Sequence, residues 1–299
     1  MSEIVDILMG PDPFYLIFSG VTQQPFLVEG GRALAYTDAR YAMDHMVKYL
    51  GMSGYSVIPM LVNNDKKQIM DDMVVAGVKE ISLNESDDGN EPLVDTISNF
   101  TDVPPQDGYV DLDVPLINME LSGIMNRFYQ ELSIRHIEKN MVDALFEKLR
   151  TSCYLIPINV AACKAKDQII FPFFDNTTDI PIFTDYRLLG DWLTKNGHNL
   201  EEWGTWVVDW KDLKAVMEQN PGTTFFLNTN TVDMHVTPEL LTGLNCLVRQ
   251  FSTEDASGSV SGTTRPIPRE DIPAGKETAP IDDWEHDDPS RDFFKKDDE

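Results

Sequence analysis

Apolar and polar residues alternate in a way that predicts two similar segments, each built from short strands and amphipathic helices. Each segment begins with a short apolar run, FYLIF from Phe14 and CYLIPI from Cys153. Each ends on a strand that finishes in Leu-Asn, at Asn84 and at Asn228. Two helical patterns lie between these strands, and each segment is predicted to have the order β-β-β-α-β-α-β. This order predicts an α+β fold with two tandem copies.

An ungapped alignment supports the two copies. When Pro25 is placed over Pro172, the segment Tyr36-Thr37-Asp38 falls over Phe183-Thr184-Asp185. In both places a short apolar strand ends at Thr-Asp, and a helical pattern follows. The Asp side chain is predicted to cap that helix, because its oxygens accept from the exposed N–H groups of the first turn. Asp65 and Asp209 follow a later strand in each copy and are predicted to cap the second helix. Phe171 to Phe174 are predicted to form the second strand of the later copy.

The second copy has an additional piece before it. Apolar residues recur at helical spacing over 118–150, with an interruption near Ser133 to His136. The pattern predicts two amphipathic helices. They are expected to pack on the second sheet.

The net charge of −26 is concentrated in two segments. Residues 85–117 contain nine acidic and no basic residues, and residues 252–299 contain 14 acidic and six basic residues. The first segment is rich in proline and is predicted to be an acidic linker, and the second is predicted to be a disordered acidic tail. The predicted domains are therefore 1–84 and 118–251.

The charge and the hydropathy argue against several classes of protein. Binding to nucleic acid or to an anionic membrane needs clustered Lys and Arg, and the sequence has no such cluster. No apolar stretch approaches the roughly 18–20 residues that cross a bilayer. The three cysteines are far apart and show no metal-binding spacing. The expected location is the cytoplasm.

Several motifs resemble the SseB family of bacterial proteins. They are CYLIPI (153–158), IPIFTDYRLLGDWL (180–193) and NPGTTFFLN (220–228), together with the helix opening at Asn118 and Leu121. The earlier copy, from AYTDARYAMDHM (35–46) to AGVKEISLN (76–84), is a more diverged version. The resemblance implies a bacterial cytoplasmic protein with a regulatory or interaction function. It supplies no catalytic residues.

Motifs for catalysis and cofactor binding are missing from the sequence. The five histidines have no recurring metal-ligand spacing, and there is no nucleophile elbow, Walker loop or dinucleotide-binding glycine motif. No catalytic, cofactor-binding or metal-binding residue is therefore predicted. Cys163 is predicted to lie in a loop beside Lys164 and Lys166, whose charges favour a reactive thiolate. The alternative is an ordinary surface thiol.

Aromatic residues are the candidates for binding a partner. Four of the five tryptophans lie between Trp192 and Trp210, and Trp203 and Trp206 are candidates for a hydrophobic docking groove. Packing inside the domain is the alternative. The acidic tail contains Trp284, Phe293 and Phe294, which either dock into a partner or contribute nothing beyond a solubilising segment.

These features favour a non-catalytic protein-interaction or regulatory role with an unidentified protein partner. Two alternatives stay open. One is an enzyme that uses Cys163 and acidic residues in a cleft between the two domains. The other is a small-ligand sensor with its site in the same cleft.

Overall fold

The computed structural model describes residues 2–85, 91–102, 115, 117–166, 171–174, 178–198, 202–229, 231–238 and 240. The chain forms two compact units. The first consists of Met1–Gly108 and Pro115–Leu149, and the second of Tyr109–Val114 and Arg150–Glu299. Helices and β-sheets occur in both, which confirms the predicted α+β class.

The described residues of the first unit form six strands and five α-helices. In chain order they are α1 (Glu3–Leu8), β1 (Phe14–Ser19), β2 (Leu27–Val28), β3 (Arg32–Tyr36), α2 (Ala39–His45), β4 (Val57–Val62), α3 (Lys66–Val75), β5 (Glu80–Leu83), β6 (Leu93–Thr96), α4 (Met119–Ser133) and α5 (Lys139–Thr151). A π-helical turn, Met46–Gly51, continues α2, and a 3-10 turn, Ile97–Asn99, follows β6. Helix α5 ends just inside the second unit.

One sheet organises the first unit. Its strand order is β4-β1-β3-β5-β6, with β2 paired to β3. Strands β3 and β5 are parallel, and the other neighbours are antiparallel. Side chains on alternate positions of a strand point to opposite faces. Both faces of this sheet hold buried apolar residues, with Leu16 on one face and Ile17 on the other. Helices α1 and α3 pack on the face of Leu16, and α2 covers the face of Ile17.

Helix α4 belongs to the first unit, so the expectation that it packs on the second sheet is wrong. The Asn126 amide donates to the Pro25 carbonyl at 3.0 Å and accepts from the Thr22 hydroxyl at 2.8 Å. The Gln130 amide oxygen accepts from the Leu27 backbone N–H at 3.2 Å. These bonds satisfy backbone groups beside β2 that would otherwise be buried without partners.

The predicted linker 85–117 also differs from the structure. Residues 93–96 form β6, which pairs antiparallel with β5. Ile97 and Phe100 are buried in the core of the first unit. The acidic segment therefore adds one strand to the sheet, and two apolar side chains that follow the strand join the core. The lack of a lasting period in the sequence had hidden this.

The second unit also combines short strands with helices. Its elements are β7 (Cys153–Asn159), α6 (Val160–Lys166), β8 (Asp179–Ile182), α7 (Tyr186–Lys195), β9 (Trp203–Asp209), α8 (Trp210–Gln219), β10 (Thr224–Leu227) and β11 (Met234–Val236). Strand β7 pairs antiparallel with β9, β8 pairs parallel with β10, and β10 pairs antiparallel with β11. A bridge between Leu155 and Phe183 joins the two groups. The duplication itself stays a prediction.

Two local predictions for the second unit are wrong. Residues 171–174 do not form a strand, although Phe171 is buried. Cys163, expected in a loop, lies in α6. Three small or apolar residues precede Cys163 in this segment, and its two lysines fall in the last turn of the helix, where cations suit the helix dipole.

The predicted helix caps are confirmed at three of four positions. The Asp38 carboxylate accepts from the backbone N–H of Arg40 at 2.6 Å, and that of Asp185 accepts from Leu188 at 2.9 Å. Asp209 forms a reciprocal capping box with Asp212. Asp65 precedes α3, but it has a left-handed φ of 53° and its side chain makes no capping bond. The cap predicted at Asp65 is therefore wrong.

Candidate interaction surface

Strand β9 is an uncharged edge of the second unit. It has the sequence WGTWVVD, in which only the last residue is charged. It pairs with β7 over its full length, from Trp203 opposite Asn159 to Asp209 opposite Cys153. In the part of the chain that the structure describes, β9 has no other strand partner.

The backbone of β9 points alternately toward and away from β7. The Val160 N–H donates to the Glu202 carbonyl at 2.9 Å, which places the even-numbered residues in hydrogen-bonded pairs with β7. The odd-numbered residues therefore direct their N–H and C=O groups to the other side. Asp209 confirms this direction, because its N–H donates to the Asp212 carboxylate rather than to β7. Thr205 and Val207 consequently present two donors and two acceptors along the open edge.

Strand β4 lies at an edge of the sheet in the first unit, but it is blocked against pairing with a further strand. The Gly20 N–H donates to the Ser56 carbonyl at 2.8 Å, so the even-numbered residues of β4 bond to β1. Pro59 is odd-numbered and points outward. Its ring occupies the position of an N–H, and an added strand would collide with it. Ile58 and Leu61 are more than half exposed, and Pro59 is the feature that protects this edge from pairing.

The two tryptophans predicted to bind a partner have different surroundings. Trp203 is 9% exposed and packs against His198, with ring centroids 4.5 Å apart. Trp206 is half-buried and stacks on Phe171 at 5.5 Å. Trp203 therefore belongs to the core of the unit, whereas Trp206 keeps part of its indole at the surface of β9.

The other three predicted partner residues, Trp284, Phe293 and Phe294, lie outside the described residues. Their docking role stays a prediction.

A buried carboxylate cluster is the strongest chemical grouping of the first unit. Glu131 accepts from the Tyr55 hydroxyl at 2.9 Å and from Arg127 at 3.0 Å, and its other contact is His136 Nδ1 at 3.2 Å. Burial and the hydrogen bond to Glu131 raise the pKa of Tyr55 to about 12. Sequence reasoning missed this cluster, because Tyr55 and Glu131 are 76 residues apart. The cluster ties α4 to the segment that precedes β4, because the Tyr55 hydroxyl donates to Glu131 of the helix.

A second polar group lies between the sheet and α2. The Tyr36 hydroxyl, the Tyr49 hydroxyl and one Glu85 oxygen have no hydrogen-bond partner among the described residues, and each atom exposes less than 1 Å². Burial, aided by the nearby charge of Glu85, raises the pKa of Tyr36 above its ordinary range. These atoms are closed off from solvent.

Among the described residues, no group of three or more His, Cys, Asp or Glu side chains is arranged to hold a metal ion. None of the described helices is long and apolar enough to cross a membrane.

Comparison with known proteins adds no relative: no protein-family model, curated protein or solved structure matches this chain. The resemblance to the SseB family therefore remains a prediction from the quoted motifs.

Proposed function

We propose that this chain is a non-catalytic protein-interaction or regulatory protein of the SseB type, and that it binds its partner along the open edge of β9. The observation that carries the proposal is the difference between the two edges. Outward-facing Pro59 blocks β4, while β9 has no proline and no charge before Asp209. Proteins protect edge strands that they do not use, because an unprotected edge pairs with other chains.

The side chains of β9 support the same role. Thr205, Trp206 and Val207 are each half-buried, so a partner strand extends an existing apolar surface rather than creating one. Trp206 is held in place by its stack on Phe171. A rigid, partly exposed indole loses little conformational entropy on binding, which is why tryptophan is common among the residues that dominate interface energies.

The rest of the proposal follows from charge and resemblance. The net charge of −26 makes nucleic acid and anionic membranes unsuitable partners. The SseB-like motifs favour a bacterial cytoplasmic protein. The two alternative functions, an enzyme and a small-ligand sensor, remain hypotheses, and the contacts of Glu131 described above favour neither.

The test is a proline placed at the outward position of β9. Thr205→Pro removes an N–H that β7 does not use and puts a ring in the path of an added strand. We expect the full-length variant to lose the proteins that the wild-type chain recovers stoichiometrically from its native host. Leu61→Pro, at an outward position of the already blocked β4, is the matched control and should recover them unchanged.

Folding is checked by far-UV circular dichroism and by the thermal unfolding midpoint of both variants. Recovery of the same proteins by folded Thr205→Pro would overturn the proposal.

A further inference from the structure

The open backbone groups of β9 belong to two residues that flank Trp206. In the part of the chain that the structure describes, the N–H and C=O groups of Thr205 and Val207 have no hydrogen-bond partner. Asp209 is the next residue on the same side, and its N–H already donates to the Asp212 carboxylate. The open donors and acceptors are therefore arranged symmetrically, one residue before Trp206 and one residue after it.

Helix α6 also contacts β9, but its first residue lies on a face of the strand. An added Cβ at Gly204 would stand 2.8 Å from Cγ2 of Val160. A Cβ points to a face of the sheet, whereas the backbone N–H and C=O groups point along the plane of the sheet. Val160 therefore packs on the face of Gly204, in a different direction from the open groups of Thr205 and Val207.

We infer that β9 pairs antiparallel with β9 of a second copy of this chain, about a two-fold axis that passes through Trp206. The inference rests on the proposed function and names the partner of the same edge. In this register Thr205 exchanges hydrogen bonds with Val207 of the second copy, and Val207 exchanges them with Thr205 of the second copy. Every open donor then meets an open acceptor, so the edge is complementary to itself, as a two-fold interface requires.

The same register places Trp206 at the centre of the interface. Trp206 faces Trp206 of the second copy in a pair without hydrogen bonds, in which the Cα atoms are about 4.5 Å apart. Cross-strand aromatic pairs stabilise a sheet, and residues that dominate interface energies cluster at the centre. Trp206 is half-buried and stacks on Phe171. Pairing therefore covers the part of the indole that is exposed in the single chain.

The charged end of β9 also fits this register. Asp209 is the only charged residue of the strand, and it lies opposite Trp203 of the second copy rather than opposite another acid. The net charge of −26 still opposes association of two copies over long range. Salt screens that repulsion, so a dimer of this chain should tighten as the salt concentration rises. A basic partner at the same edge would show the opposite dependence.

The test is sedimentation equilibrium of the purified full-length chain, loaded at about 1 to about 100 μM. We expect a reversible dimer whose dissociation constant falls at least about threefold as NaCl rises from about 50 to about 300 mM. Thr205→Pro should raise the dissociation constant at least about tenfold, because the proline ring blocks the added strand. Leu61→Pro, on the edge of β4, should leave it unchanged.

Cysteine crosslinking tests the position of the axis. Only a residue on the axis meets its own copy, and a Cα separation of about 4.5 Å suits a disulfide. Under mild oxidation, Trp206→Cys should give a covalent dimer on a non-reducing gel, and Thr205→Cys should not. The wild type is the control for crosslinks through Cys153, Cys163 and Cys246. A covalent dimer from Thr205→Cys alone, or from neither variant, would overturn the inferred register.

The remaining outcomes separate the inference from the proposed function. If the wild type stays monomeric at about 100 μM while Thr205→Pro still loses its host proteins, the inference fails and the proposed function stands with a different protein at the edge. If folded Thr205→Pro dimerises like the wild type, the copies meet elsewhere and the inference fails. If that variant also recovers the host proteins unchanged, the proposed function fails as well.

Discussion

At the scale of single residues, the most demanding environment is that of the Glu131 carboxylate. The carboxylate is buried and bonded to Tyr55 and Arg127, with His136 alongside. A buried charge is stable only when its hydrogen-bonding capacity is satisfied, so these side chains are needed together. The sequence shows a glutamate on an amphipathic helix and gives no sign of its distant partners.

The pKa of Tyr55 leads to a prediction about alkaline pH. Burial and Glu131 raise this pKa from 10.0 to about 12 in the folded protein. A raised pKa means that the contribution to stability is complete below pH 10 and is lost as the pH rises from about 10 to about 12. We expect the free energy of unfolding to fall in this range more for the wild type than for Tyr55→Phe.

The measurement is urea unfolding, followed by circular dichroism, at about pH 9 and about pH 11.5. Tyr15→Phe is the control, because the Glu131 carboxylate bonds to Tyr55, Arg127 and His136 and not to Tyr15. The prediction fails if Tyr55→Phe and the wild type lose the same stability.

Two asparagines show what the sequence could indicate at this scale. Asn84 and Asn228 each follow a Leu at the end of a strand, and both have positive φ, 56° and 53°. The Asn84 amide oxygen accepts from the Thr37 N–H at 3.0 Å, and that of Asn228 accepts from Thr184 at 2.9 Å. The repeated Thr-Asp and Leu-Asn pairs were visible in the sequence. Their hydrogen bonds were not, because parallel pairing of the two strands brings them together.

At the scale of elements, the position of α4 was decided by polar contacts and by close backbone approach. Gly77, with φ +86°, lies directly against Gly123 of α4 and the Met119 carbonyl. An added Cβ at Gly77 would lie closer than 3.0 Å to backbone atoms of the helix, which cannot yield by side-chain movement. The periodicity of α4 predicts its apolar face but does not identify the surface that it covers.

We therefore predict that Gly77→Ala destabilises the chain by about 3 kcal/mol or more, because it combines backbone strain with a clash against α4. Gly30→Ala is the matched control. Gly30 also has positive φ, but a Cβ there meets nothing within 4 Å, so we expect a cost of about 1 kcal/mol. Urea unfolding measures both values, and equal losses would contradict the close packing of α4 on the first unit.

For the edge strands, the sequence predicts the position of each strand but not its place in the sheet. The apolar runs at β4 and β9 predicted strands in the correct places, because short runs rich in β-branched or aromatic residues between turn residues are typical of strands. Whether a strand lies at an edge depends on the order of strands in the sheet. The outward direction of Pro59 and Thr205 depends on the pairing register, which a sequence does not specify.

At the scale of the whole molecule, tryptophan is confined to one unit and the terminal segment. The first unit contains none, four lie between Trp192 and Trp210, and the fifth is Trp284. Trp192, Trp203 and Trp210 are at most 9% exposed, and Trp206 is half-buried. Tryptophan fluorescence of a Trp284→Phe variant therefore reports on the second unit.

We predict that acrylamide quenches this emission weakly and that the residual quenching comes mainly from Trp206, because collisional quenching requires an exposed indole. The variant Trp206→Phe, in the Trp284→Phe background, should lower the quenching constant further, by roughly half, because Trp206 is the most exposed of the four indoles. An unchanged constant would mean that Trp206 is shielded and would weaken its assignment to the docking edge.

The sequence by itself determined the α+β class, most strand and helix positions, three helix caps and the segregation of charge. Each of these depends on residues close together in the chain, where periodicity and capping act. Only the tertiary structure decided that α4 joins the first unit, that β6 extends its sheet within an acidic segment, and that β9 rather than β4 presents an open edge. Those features depend on strand order, register and contacts between residues far apart in sequence, where many arrangements satisfy the same local pattern.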